Sequence, residues 1–164
     1  KTTVQMGSGY RGDLWLARSG KGKIVNVTPA DYRYFAIKVG FKSQLVPGKN
    51  KPNGCIKLEI FDDGIKKIGP EYFGTGGDAN NRYEILGASE ISTTEPNVLY
   101  YDLQSKYKTV TPTDWNQVFD LVQCKFVIAD FPETAQTYDL YWIRSFKSIE
   151  ELQAFVDSEN NTNE

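Results

Sequence analysis

The stretch YFAIKVGF, Tyr34 to Phe41, alternates two kinds of side chain along eight positions. One set is strongly apolar and consists of Phe35, Ile37, Val39 and Phe41. The other set is mixed and consists of Tyr34, Ala36, Lys38 and Gly40. A period of two places each set on one side of an extended chain, so the pattern predicts a β-strand with one packed face.

A second strand-like segment, CIKLEIF from Cys55 to Phe61, follows the turn-rich sequence VPGKNKPNG. We expect the two segments to pair as a hairpin, because glycine, proline and asparagine supply the turn chemistry between them. Three positions of the second segment are suited to the core, namely Ile56, Leu58 and Ile60. The opposite face of the pair would then bring together Tyr34, Lys38, Lys57 and Glu59.

Further strand-like segments are RYEILG, EPNVLYYDL, CKFVIADF and YDLYWIRSF, with turn residues between them. The C-terminal part is typical of a helix: Ser148 and Glu151 form a capping box, in which each side chain accepts a hydrogen bond from a free backbone N–H. Four apolar residues then fall on one helical stripe, namely Ile149, Leu152, Phe155 and Val156. After Ser158 the run ENNTNE has nothing apolar to bury, which predicts a flexible tail or linker over residues 159–164.

This succession of short strands without alternating helices predicts an all-β fold. We expect an antiparallel β-sandwich of the jelly-roll, galactose-binding-like kind with a short C-terminal helix, formed by one domain over residues 1–158. The length of 164 residues is sufficient for one domain with its own hydrophobic core.

The composition argues against several classes of function. A net charge of -2, with lysines and carboxylates interspersed, gives no basic surface for nucleic acid. No apolar run approaches the about 20 residues of a membrane-spanning helix, so membrane insertion is not expected. The sequence opens at Lys1 without an initiator methionine, which is compatible with a removed secretory signal or lipoprotein anchor.

Histidine is absent and cysteine is rare. Without imidazole the chain lacks the commonest general base near neutral pH and the usual ligand of zinc and copper. Cys55 and Cys124 lie in apolar strand-like contexts, where buried thiols are favoured over a disulfide bridge, although a bridge stays open.

Several short motifs have simpler interpretations as turns. GSGYRG satisfies the dinucleotide pattern G-x-G-x-x-G, but no helix follows it, and the Arg11-Gly12-Asp13 triplet is a three-letter match. Carboxylate pairs could serve glycoside hydrolysis, yet the candidates are explained by turns and cross-strand ion pairs, so we do not expect an enzyme. DANNRYE offers Asp78, Asn80 and Glu84 as oxygen ligands for a structural calcium ion, with an ordinary turn as the alternative.

Aromatic residues are the remaining signal, at 13% of the chain with three tryptophans, ten tyrosines and nine phenylalanines. Flat rings beside polar side chains suit sugars, which present an apolar C–H face and a ring of hydroxyls. Each ring taken singly is also explained by packing. The predicted ligand-binding residues are Tyr10, Arg11, Trp15, Tyr34, Lys38, Lys57, Glu59 and Trp115.

Three stretches, TPADYRYFAIKV, NVLYYDL and YDLYWIRSFKSIEELQAF, resemble carbohydrate-binding-module-like jelly rolls of Bacteroidetes surface and secreted glycan-utilisation proteins. In those modules a final strand with a Trp-Ile pair is followed by a Phe-Lys-Ser turn into a closing helix. The similarity spans about Lys23 to Phe155. It implies a secreted or cell-surface accessory domain, as part of a larger multidomain or lipoprotein context, whose partner is a plant or host glycan.

On this interpretation YDLYWIRSF is the closing strand, and a core role is favoured for Trp142 because strand and helix both cover it. The inward face would be either Leu140, Trp142 and Phe146 or Tyr141 and Ile143. The functional hypothesis is a non-catalytic polysaccharide-binding module. The alternatives are a structural or protein-interaction sandwich with no small ligand and, third, a small jelly-roll hydrolase or lyase.

Overall fold

A computed structural model describes residues 1–5, 12–17, 25–28, 30–42, 56–62, 83–104, 119–128 and 137–161. Within these ranges the chain is an all-β, antiparallel protein with one C-terminal helix, as predicted. Its elements are β1 (Thr2–Gln5), β2 (Gly12–Ala17), β3 (Val25–Val27), β4 (Tyr34–Phe41), β5 (Ile56–Asp62), β6 (Glu84–Ile85), β7 (Asn97–Asp102), β8 (Phe119–Ile128), β9 (Thr137–Phe146) and α1 (Ile149–Asn161).

The first sheet has five strands in the order β1-β9-β4-β7-β6. Strand β4 is central, because Ile37 lies opposite Leu99 of β7 on one side and Ile143 of β9 on the other. A turn precedes β4: the backbone N–H groups of Asp31 and Tyr32 both donate to the Thr28 carbonyl. This turn directs the chain into the middle of the sheet.

The second sheet is built on β8, which pairs with β2, β3 and β5. Ile128 pairs with Gly12 of β2 and with Ile56 of β5, so those two strands flank β8 on opposite sides. Leu121 likewise pairs with β3 and with β5, which places β3 on the same side of β8 as β2.

The predicted hairpin between β4 and β5 is wrong. Strand β4 belongs to the first sheet and β5 to the second. Both edges of β4 are occupied by β7 and β9, so its backbone groups have no edge left for β5. The connection between β4 and β5 is also much longer than the tight loops that fix hairpin pairing. Consequently Tyr34 and Lys38 do not share a sheet face with Lys57 and Glu59.

The inner face of the first sheet is a hydrophobic core. The four apolar positions of β4 are buried, with Ile37 at 1% and Val39 at 0% exposure. The neighbouring strands extend this face with Leu99, Tyr101 and Tyr138, which are also buried. The alternation of β4 therefore predicted this face correctly.

The outer face is less exposed than the alternation suggests. Ala36 has no exposed surface, because it packs with Val98, Phe146 and Leu152 under α1. The prediction of a strand with only one packed face is thus wrong at the centre of the outer face. Partly buried side chains surround this cluster, namely Tyr34, Leu86, Tyr100, Trp142, Phe155 and Val156.

A register shift between β4 and β9 changes the faces of the closing strand. Lys38 lies opposite Trp142 and Val39 lies opposite Leu140, so Tyr141 is an extra residue in β9. Trp142 therefore lies on the outer face under α1, where its ring meets Phe155 at a centroid distance of 5.3 Å. The packing role of Trp142 is confirmed, but Leu140 lies on the other face, because a bulge reverses the alternation.

Helix α1 begins as its sequence predicts. The Ser148 hydroxyl accepts a hydrogen bond from the Glu151 N–H at 3.2 Å, and the Glu151 carboxylate accepts one from the Lys147 N–H at 2.7 Å. The helix continues through Asn161, past the predicted end of the domain at residue 158. The reason is Glu159, whose carboxylate contacts the first sheet. No helix in the described ranges is both long and apolar enough to cross a bilayer.

Candidate functional site

The outer face of the first sheet carries two groups of rings and charges around the cluster covered by α1. The first, the Tyr34 patch, consists of Arg33, Tyr34, Glu84, Tyr100 and Asp102. The second, the Tyr141 patch, consists of Lys1, Lys38, Lys42, Asp139 and Tyr141. Tyr34 and Gly40 lie at opposite ends of β4, so the two patches are about 20 Å apart along that strand.

Strand register assembles the Tyr34 patch. Tyr34 of β4 lies opposite Asp102 of β7, and Tyr100 of β7 lies opposite Glu84 of β6. Residues directly opposite in an antiparallel ladder share a face, and residues two apart in a strand share it as well. These four side chains therefore lie on one surface, next to the turn that carries Arg33.

The rings and charges of this patch are held by specific contacts. The Tyr34 and Tyr100 rings meet edge to face, with centroids 6.1 Å apart and planes at 72°. The Arg33 guanidinium donates two hydrogen bonds to Asp102, at 2.7 Å from Nε and 2.6 Å from Nη2. The same guanidinium lies 5.4 Å from the Tyr34 ring centroid, so Arg33 contacts this ring as well as the Asp102 carboxylate.

The local electrostatics follow from these contacts. The hydrogen bond with Asp102 raises the pKa of Arg33 above its ordinary value, which keeps the guanidinium charged. Burial raises the pKa of Tyr100, and the nearby charge of Glu84 adds to this effect. The Tyr100 hydroxyl is thus a neutral donor and acceptor at physiological pH. A surface with two tyrosine rings and their hydroxyls, a guanidinium and two carboxylates can contact both the apolar face and the hydroxyls of a sugar.

The Tyr141 patch lies at the other end of β4. The ring of Tyr141 runs alongside Gly40, where an added Cβ would lie 3.5 Å from its Cε2 atom. The ammonium of Lys38 is 5.6 Å from the ring centroid and that of Lys1 is 6.0 Å. Cations at this distance from an aromatic ring are attracted by its quadrupole.

Asp139 organises the lysines of this patch. Its Oδ1 accepts a hydrogen bond from the Thr3 hydroxyl at 2.7 Å, and its Oδ2 pairs with Lys1 at 3.2 Å. Lys42 approaches Oδ1 only to 3.8 Å. The hydrogen bond from Thr3, followed by the lysine interactions, lowers the pKa of Asp139, so its carboxylate stays ionised well below neutral pH.

Lys38 is tied to helix α1. Its ammonium lies 3.0 Å from the Glu159 carboxylate, which also accepts hydrogen bonds from the Trp142 indole at 3.0 Å. Lys38 was predicted to bind a ligand, and this stays a prediction; in this structure its charge pairs with Glu159 of α1. The Lys38 ammonium therefore contacts both Glu159 of the helix and the Tyr141 ring.

Three further predicted residues come together in the second sheet. Trp15 of β2 and Glu59 of β5 both lie opposite Lys125 of β8, so the three positions form one row. Lys57 is two residues along β5 and falls on the same face. Lys125, the central position of the row, is only 7% exposed.

The other predicted residues lie outside the described residues. They are Tyr10, Arg11, Trp115, Asp78 and Asn80, together with Cys55. Glu84, the third predicted calcium ligand, is exposed on β6 and belongs to the Tyr34 patch. The described ranges contain no group of three or more potential metal-ligating side chains, so calcium binding stays a prediction about the segment before β6.

Of the two patches, only Tyr34, Glu84 and Lys38 were among the predicted site residues. The residues not predicted are Arg33, Tyr100 and Asp102 of the Tyr34 patch, Lys1, Lys42, Asp139 and Tyr141 of the Tyr141 patch, and Glu159 of α1. Tyr100 carried a signal, because it alternates with Leu99 and Tyr101 in NVLYYDL and so lies on the same face as Asp102. Tyr141 carried none, since its position depends on a bulge that no glycine or proline marks.

These features define an all-β antiparallel domain whose closing helix covers the centre of one sheet face and leaves ring-bearing patches at its two ends. The chain belongs to the family described as Domain of unknown function (DUF4979), which matches residues 1–152. The match ends at Leu152, within helix α1. No curated protein and no solved structure matches this chain.

Proposed function

We propose that this protein is a non-catalytic module that binds polysaccharide at the outer face of its first sheet, as an accessory domain of a glycan-degrading system. The observation that carries the proposal is the Tyr34 patch. Two partly exposed tyrosine rings lie edge to face beside an Arg33–Asp102 fork and the exposed Glu84. Rings supply stacking surface, while the charged groups can hydrogen-bond to sugar hydroxyls.

The proposal extends to the architecture and setting of the domain. We propose a jelly-roll sandwich in which the second sheet covers the buried inner face of the first. Supporting this, large side chains such as Ile37, Leu99 and Tyr101 are almost fully buried on that face. A glycan-binding accessory domain would work in a secreted or cell-surface protein, where it raises the local concentration of a linked enzyme on its polymer.

Binding is favoured over catalysis because Asp102, one of the two carboxylates of the Tyr34 patch, has other partners. Asp102 accepts both hydrogen bonds of the Arg33 fork and a third from the Gln104 N–H at 3.0 Å. A general acid or nucleophile needs a carboxyl group free to reach the reacting bond. The alternative of a structural or protein-interaction domain with no small ligand is less favoured by the same patch, because its aromatic rings and charged side chains lie next to one another.

Affinity electrophoresis against a panel of neutral plant and host polysaccharides tests the proposal. We expect retardation on at least one polymer, loss of it in Tyr34→Ala, and retention in Tyr34→Phe, because the phenylalanine ring preserves stacking. A matched control is Glu95→Ala, an exposed loop position, which should bind as the parent does. Far-UV circular dichroism and urea unfolding establish that each variant is folded. Failure to retard on every polymer, or equal binding by Tyr34→Ala, would contradict the proposal.

A further inference from the structure

We infer that the Tyr141 patch is a second carbohydrate subsite, selective for sugars that carry a carboxylate, such as uronic acids. This inference rests on the proposed glycan-binding function and adds a substrate class to it. It starts from Tyr141, the residue that the ladder between β9 and β4 skips. Tyr141 is the extra residue of the bulge, and a bulge changes the direction of a side chain from the one that regular alternation would give it.

The position of the ring suits a stacking platform. Tyr141 is partly exposed, and its ring runs alongside Gly40, a residue with no side chain to cover it. Helix α1 lies over Trp142 and Phe146 of the same strand, and its Glu159 carboxylate holds Lys38 beside the ring. Helix α1 thus borders the Tyr141 ring on one side, and part of the ring is accessible to solvent.

The charges around this ring favour an anion. Among the residues that the structure describes, three lysines face two carboxylates here, which leaves one positive charge in excess: Lys1, Lys38 and Lys42 against Asp139 and Glu159. The contacts identify which lysine supplies it. Lys38 is paired with Glu159, and Asp139 already binds Thr3 and Lys1 at short distance. Lys42, at 3.8 Å from Asp139 and with 53% of its side chain exposed, is the most weakly held cation.

A uronic acid matches this arrangement. Its ring presents C–H groups to an aromatic face, and its carboxylate projects from the ring edge, where Lys42 and the equally exposed Lys1 can bind it. A neutral sugar would gain only the stacking contact. The Tyr34 patch lacks this excess, since Glu84 and Asp102 outnumber Arg33, so the two ends of the outer face differ in the sign of their charge.

The test compares polygalacturonate with the same polymer in methyl-esterified form, which removes the charge but keeps the sugar. We expect stronger retardation on polygalacturonate, weakened about fivefold by Lys42→Gln and abolished by Tyr141→Ala. Tyr141→Phe should bind as the parent does, and added salt should weaken binding. Lys147→Gln, an exposed lysine outside the patch, is the matched charge control.

The outcomes separate this inference from the proposed function. Equal binding to the two polymers, or an unchanged Tyr141→Ala, overturns the acidic subsite. Retardation on neutral polymers through Tyr34 without any on polygalacturonate overturns the subsite and leaves the proposed function standing. Absence of binding to all polymers overturns both. Equal retention on heparin, with equal loss in Lys147→Gln, would mean general attraction of polyanions and also overturns the subsite.

Discussion

At the scale of single residues, the first sheet buries the phenol of Tyr138. Tyr138 is 2% exposed on the inner face, opposite Phe41 of β4, and their ring centroids are 6.5 Å apart. Burial raises the pKa of Tyr138 to about 12 from its ordinary value of 10.0. The folded protein therefore keeps this phenol protonated over a pH range in which the unfolded chain ionises it.

This pKa shift predicts the alkaline stability of the protein. Below pH 10 both states hold the proton, so the contribution of Tyr138 is fully present. Between pH 10 and 12 only the folded state holds it, and stability falls with a slope of up to about 1.4 kcal/mol per pH unit from this group. We expect Tyr138→Phe to remove that component, so that its free energy of unfolding falls less steeply over the same range.

Urea unfolding at several pH values from 9 to 12 measures these slopes. Tyr32→Phe is the matched control, because Tyr32 is 43% exposed and its removal takes a phenol from the surface instead of the core. The control should keep the parent's slope. An alkaline slope in Tyr138→Phe as steep as the parent's would show that burial of this phenol does not control the transition.

At the scale of elements, helix α1 is capped at its start and is held to the first sheet at two points. The capping contacts of Ser148 fix its start, Leu152 is fully buried in its second turn, and Glu159 binds Lys38 and Trp142 near its end. A helix of 13 residues is marginal alone in water, so packing and these contacts stabilise it.

Substitution of Glu159 separates the ion pair from the hydrogen bond. Glu159→Gln loses the charge opposite Lys38 but keeps an oxygen for the Trp142 indole, and we expect it to cost about 0.5–1 kcal/mol. Glu159→Ala loses both contacts and should cost about 1–3 kcal/mol. Urea unfolding gives these values, and amide exchange near Asn161 should quicken in the alanine variant.

Glu90→Gln is the control for charge alone, since Glu90 is an exposed loop residue. We expect it to change stability by less than about 0.5 kcal/mol. Matching losses in Glu159→Ala and Glu90→Gln would mean that Glu159 does not anchor the helix.

The elements also show which parts of the fold the sequence could predict and why it could not predict the others. The buried inner face of β4 and the cap of α1 follow from local patterns, so both were predicted correctly. The partner of β5 was not, because alternation sets which face is buried but not which strand lies alongside. The extension of α1 past Ser158 depends on Glu159 meeting Lys38, which is distant in sequence.

The candidate site was likewise predicted only where local sequence patterns determine it. Tyr34 was predicted from its place opposite the core face of β4, and the structure puts it on the outer face beside Asp102. Tyr141 reaches its patch through a bulge, and its neighbours Lys1 and Lys42 come from distant parts of the chain. Long-range pairing, and not residue type, therefore decided which rings and charges meet.

At the scale of the whole molecule, the proposed sandwich makes a prediction about cooperativity. Strand β4 is central in the first sheet and β8 in the second, and each has neighbours on both sides. A core shared between the sheets would make the two strands unfold together, whereas sheets with separate cores could open separately.

Native-state hydrogen exchange at rising urea concentration tests this. We expect the slowest amides of β4 and β8 to converge on one free energy of opening, equal to that of global unfolding. The two-residue edge strand β6 provides the internal comparison, because its amides should exchange through local fraying at a lower free energy. If β8 opened at a free energy lower than that of β4 by more than about 2 kcal/mol, the two sheets would not share one core. The inner-face residues Ile37 and Leu99 would then be buried by some other part of the chain, and the sandwich would have to be abandoned.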